Sequence, residues 1–113
     1  QQNERTIATA LVREGREAVR QVRELGWANV ATNGTYHPVA SASAWTLSSG
    51  AETINGQTRS IVIADTYRDA SGAITTSGGT VDPSTKKITI TSSWSALFPS
   101  AVTSVVYLSR FTN

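Results

Sequence analysis

The chain has no cysteine, no methionine, one histidine and three prolines, and charged residues make up only 16% of it. Without cysteine there are no disulfides, no thiol nucleophile and no thiolate metal site. That absence is neutral about compartment, because an oxidising environment permits disulfides without requiring them. The lack of methionine suggests a processed or trimmed piece, since a translation product begins with one. The lone histidine, His37, sits beside Pro38 in the run TYHPV and reads as an exposed loop residue. No G-x-S-x-G run appears, and spacing alone assembles no Ser-His-Asp group. SGGTVD lacks the lysine of a phosphate-binding loop, so Gly78-Gly79 reads as a bend. Asp65, Asp69 and Asp82 lack the alternating-oxygen spacing of an EF-hand and read as turn residues. A formal charge of +2 is too small to point to nucleic acid. These residues support no enzyme, no cofactor and no metal.

At 113 residues the chain is one domain, 1–113, with room for a single modest core. Much of it is Ser, Thr, Ala and Gly, a composition common in extracellular β-rich domains. The charge is concentrated: nine of the eighteen Asp, Glu, Lys and Arg residues fall within the first 25 positions.

That opening stretch has helical period, and the pattern predicts a helix over about Asn3–Leu25. Turning 100° per residue, Ile7, Leu11, Gly15, Ala18, Val22 and Leu25 fall in an arc of about 80°, which Ala8, Val12 and Val19 widen. Arg5, Arg13, Arg16, Glu17, Arg20 and Arg23 take the other side. Arg13–Glu17 and Arg20–Glu24 have the spacing of opposite-charge helix pairs, and Gly26 offers a stop. Residues 26–57 are mixed and predict a loop with one or two short strands. From Gln57 onward the pattern is an antiparallel sheet over 58–113. The β-branched run Ile61-Val62-Ile63 reads as a central strand contacted on both faces. Asp69-Ala70-Ser71-Gly72 fits a type I turn, and Asp82-Pro83 gives a second turn signal. KKITITSSW alternates, with Ile88, Ile90 and Trp94 on one side. Lys86-Lys87 reads as charge that discourages edge pairing. Trp27, Trp45 and Trp94 read as core or sheet-face residues.

The run from Ala10 to Trp27, through Glu14, Gly15, Glu17, Ala18, Val19, Arg20 and Arg23, resembles a segment of bacterial type IV pilin-like proteins. In that family it follows the hydrophobic stretch of precursors that carry a prepilin-type cleavage and methylation signal. TRSIVI, YRDASGAI, GGTVDPSTKKITIT and SSW are similar to the same branch. The chain departs from the family in lacking the cleavage site, the apolar N-terminal half of the helix and a cysteine pair closing a C-terminal loop.

The resemblance implies a pilin-like α+β fold, with one long N-terminal helix packed on an antiparallel meander. It implies a structural subunit, major or minor, of a type IV pilus-like filament on the bacterial cell surface. Its partners would be other copies of itself or other pilin-like subunits, and the inner-membrane assembly machinery. An apolar segment ahead of Gln1 would anchor it in the membrane before assembly. A pseudopilin of a type II secretion or DNA-uptake machine, and an unrelated extracellular binding module, are the alternatives. On this reading Gly15, Ala18, Val19, Val22 and Leu25 hold the helix to the sheet. Ile7, Leu11, Arg13, Arg16, Glu17 and Arg20 face neighbouring subunits, with residues 3–11 projecting beyond the sheet.

Overall fold

The computed structural model describes residues 2–41, 44–95 and 100–110. Helix α1 runs Gln2–Leu25 and a 3₁₀ turn follows at Trp27–Val30. The strands are β1 Gly34–Ser41, β2 Ala44–Ser49, β3 Glu52–Ile54, β4 Gln57–Arg68, β5 Ile74–Thr75, β6 Thr80–Trp94 and β7 Ser100–Ser109. All pairings are antiparallel in one sheet of order β2-β1-β4-β6-β7. β4 has one edge on β6, and its other edge is shared by β3, β1 and β5 in turn.

This corrects the expected pilin-like α+β meander. Strands hold 54% of the described residues against a single α-helix, and the strand order does not follow the sequence. The difference arises mainly in residues 26–57. The β1–β2 hairpin is a full ladder from Tyr36↔Ser49 to Ser41↔Ala44, and it joins the sheet by pairing Gly34–Tyr36 with Ile61–Ile63. It forms because Tyr36, Trp45 and Leu47 pack against the core.

The core lies between α1 and the centre of the sheet. Ile61 pairs with Ile90 and Ile63 with Ile88, and all four are buried against Val12, Val19, Val22 and Val30. Each of these side chains contributes roughly 1.5–3 kcal/mol by leaving water. Val62 points the other way and is 37% exposed, so β4 is contacted on one face and not on both.

The helix reaches closest to the sheet at Gly15, where an added Cβ would lie 2.9 Å from Ile90 Cγ2. Gly15→Ala would gain about 1 kcal/mol of helix propensity. It also forces a stiff β-branched side chain to move, an overpacking cost of about 1–3 kcal/mol. A lower urea midpoint than the parent's is therefore expected, and an unchanged or higher midpoint would show that the contact relaxes freely.

Asp82-Pro83 is not a turn between strands. It opens a bulge inside β6, where Pro83, Ser84 and Thr85 fall between the pairs Thr66↔Asp82 and Asp65↔Lys86. A proline fits there because the ladder to β4 is interrupted. The β4–β5 connection is the expected turn, closed by the Gly72 N–H donating to the Asp69 carbonyl at 3.0 Å. Lys86 is not an edge charge: β6 is interior to the sheet, and Lys86 is buried.

Candidate assembly surface

The buried stripe of α1 passes through Ala8, Leu11, Val12, Ala18, Val19 and Val22, with Gly15 among them. Leu25, expected to hold the helix to the sheet, is 66% exposed. The helix ends there, and Val30 with Trp27 takes over the contact with the core. A periodic pattern marks a face of the helix without showing where the helix runs off the sheet.

The opposite correction applies at the N-terminal half. Residues 3–11 do not project beyond the sheet. Leu11 is buried, Ile7 is half-buried and Ala8 is fully buried. The cause is the length of β4 and β6, which carry the sheet beneath the first helical turns. Gln57 donates from Nε2 to the Glu4 carbonyl at 3.2 Å, and the Arg5 guanidinium lies 5.5 Å above the Trp94 ring.

Arg13, Arg16, Glu17 and Arg20 are exposed along one side of the helix. Glu17 contacts Arg20 at 3.7 Å and accepts from Gln21 Nε2 at 3.2 Å, and Arg16 donates to Ser104 Oγ at 3.4 Å. With side chains 60% and 54% exposed, the Arg20–Glu17 pair adds little to stability. Two clefts flank this face. One of about 420 Å³ is lined by Glu17, Arg20, Glu24, Leu25 and Trp45, and one of about 450 Å³ by Arg5, Thr9, Ala10 and Arg13. The first sets an exposed leucine and a half-buried tryptophan among charges of both signs.

Beneath the helix lies a polar cluster that the sequence pattern did not reveal. Arg59, with 3% of its side chain exposed, donates to Glu52 at 2.7 Å, to Glu14 at 2.7 Å and to the Leu11 carbonyl at 3.0 Å. Buried Gln57 accepts from Ser92 Oγ at 2.9 Å. Lys86 Nζ donates to Asp65 and to Asn33, both at 2.8 Å. The only early signal was position: Gln57, Arg59, Ile61 and Ile63 alternate onto the inner face.

The three acids considered for metal binding are each held by protein donors. Lys86, with help from Asn33, lowers the pKa of Asp65. The Ser71 hydroxyl and the Ala73 N–H lower that of Asp69. Arg68, at 2.7 Å, and the Ser84 N–H lower that of Asp82. Among the described residues no group of three or more potential ligands converges. His37 lies in β1, with Nδ1 2.9 Å from the Gly50 carbonyl. Because the folded pKa values lie below the ordinary 3.8, the stabilisation is complete above that value. It is lost as pH falls through the folded values. A thermal-melt series from pH 6 to pH 2 should show Tm falling on its acid side. Asp69→Asn and Asp82→Asn together should lower Tm most in the neutral region and converge with the parent near the acid end, which flattens that limb.

Among the described residues no helix is long and apolar enough to cross a membrane. No protein-family model, no curated protein and no solved structure matches the chain.

Proposed function

We propose that the chain is a structural subunit of a type IV pilus-like surface filament, assembled through its N-terminal helix with other copies or related subunits. The observation that carries this reading is the outer side of α1. Its mixed charges, Arg13, Arg16, Glu17 and Arg20, adjoin the cleft where Leu25 and Trp45 lie. The resemblance along Ala10–Trp27 supports the same role, and it does so independently of the strand arrangement. Charges of both signs around an apolar anchor suit a repeating contact, since opposite charges on successive copies set the register while the anchor is desolvated. The reading requires an apolar segment and a cleavage signal ahead of Gln1 in the native precursor.

Shearing surface filaments from the source cell and identifying their subunits by mass spectrometry tests the role directly. The chain should be recovered with a processed N-terminus. Its absence from all sheared filaments, or a native precursor with no apolar segment, would exclude the reading. Leu25→Lys should leave the isolated domain within about 0.5 kcal/mol of the parent yet remove it from filaments.

A further inference from the structure

The β6–β7 ladder is regular from Thr85↔Ser109 to Trp94↔Ser100, and the Arg110 N–H continues it to the Ser84 carbonyl at 2.7 Å. Bonded and non-bonded pairs alternate in an antiparallel ladder. Even-numbered residues of β7 therefore turn their backbone groups toward β6, while Ala101, Thr103, Val105 and Tyr107 turn theirs toward the open edge. Among the described residues no strand pairs with that edge. β7 carries no charge, no proline and no bulge, the devices that keep an exposed edge from pairing. The sheet's other outer strand, β2, is only six residues long.

Two features define what fits against β7. On the outer face Val105 and Tyr107 are 48% and 41% exposed. On the helix side three arginines follow the strand. Arg16 reaches Ser104 Oγ, Arg20 lies beside Val106 and Leu108, and Arg23 Nε donates to the Ser109 carbonyl at 2.9 Å. Glu17 approaches Arg20 only at 3.7 Å, which leaves guanidinium donors on exposed Arg20 and Arg16 for a second carboxylate. Arg23, with Nε and Nη2 both on the Ser109 carbonyl, anchors the end of the strand. A second copy of β7 is a poor complement. It brings no acid, and antiparallel pairing centred on Ser104 sets two Arg16 side chains against each other.

We infer that the open edge of β7 accepts an extended segment of another polypeptide as an added strand. Acidic side chains alternate on the helix side of that segment and apolar ones lie on the outer side, beside Val105 and Tyr107. Backbone bonds from Ala101, Thr103, Val105 and Tyr107 supply affinity, and the arginine row supplies selectivity and direction. This holds whether or not the filament reading does.

The test is titration of the protein with a capped peptide of sequence TVEVEVEVT at low salt, followed by amide NMR shifts and calorimetry. Binding is expected below about 1 mM, with the largest shifts at the amides of residues 101, 103, 105 and 107. Val105→Pro removes an outward N–H without removing a bond to β6 and should weaken binding about tenfold or more. Arg16→Glu with Arg20→Glu should do the same, and the lysine peptide TVKVKVKVT should fail to bind. Should Val105→Pro not fold, N-methylation of alternate peptide residues removes the same bonds from the ligand side. No binding at about 1 mM would overturn the inference. So would equal binding by the N-methylated peptide, which would leave surface charge alone. A dimer of the protein that excludes the peptide would make a second copy the occupant and would also overturn it.

Discussion

Arg59→Leu is expected to destabilise the domain by about 3–5 kcal/mol, enough to consume much of the stability of a fold this size. The guanidinium is the shared donor for two carboxylates and one helix carbonyl. Glu52 has only 20% of its side chain exposed and Glu14 46%. Removing the donor leaves Glu52 charged and poorly solvated and Glu14 without its partner. The Leu11 carbonyl loses only a second bond and keeps its helical one from the Gly15 N–H. Most of the loss comes from these stranded partners rather than from the ion pairs themselves. Arg59→Lys should therefore recover only part of it, since one ammonium cannot span three acceptors set around a planar fork. Replacing Arg59, Glu52 and Glu14 together with leucine should recover most of it, because no charge is then left buried without a partner. Urea unfolding of the four proteins measures the series. A loss under about 1 kcal/mol for Arg59→Leu would mean that water reaches the cluster and replaces the guanidinium.

This cluster also shows where reading the sequence reaches its limit. Local periodicity made α1 and β6 legible and the β-branched run marked β4, and the buried isoleucines Ile61, Ile63, Ile88 and Ile90 fall on those two strands. A charge on their inner face can be seen as an anomaly. Its partners cannot: Glu14 lies 45 residues from Arg59, and nothing local links them. β1 was legible only as one of the short strands expected within residues 26–57. Pro38 demotes any strand that contains it, but β1 pairs with β4 only as far as Tyr36. Pro38 therefore costs no bond to that strand. The sheet order β2-β1-β4-β6-β7 depends on which strand takes each stretch of the β4 edge, a competition between distant segments that no window of sequence contains.

The two ends of the helix stripe should respond in opposite ways to a charge. Val22→Asp is expected to cost more than about 4 kcal/mol, leaving the domain largely unfolded at 25 °C. Val22 is 3% exposed and belongs to the same apolar cluster as Val19, Val30, Ile61 and Ile63. A carboxylate there loses its hydration, and its neighbours in the cluster are hydrocarbon. Leu25 lies one helical turn further on, and Leu25→Lys meets solvent instead. A cation in the last turn also complements the helix dipole, worth about 0.3–1 kcal/mol. Circular dichroism should show a folded Leu25→Lys domain and an unfolded Val22→Asp domain. The pair also separates folding from assembly. If filaments form through the Leu25–Trp45 cleft, both variants vanish from sheared material, but only Leu25→Lys remains as folded, unassembled protein. Normal filaments from Leu25→Lys would remove the cleft from the assembly contact. A folded Val22→Asp domain would show that the helix lifts from the sheet at a cost far below that of its buried area.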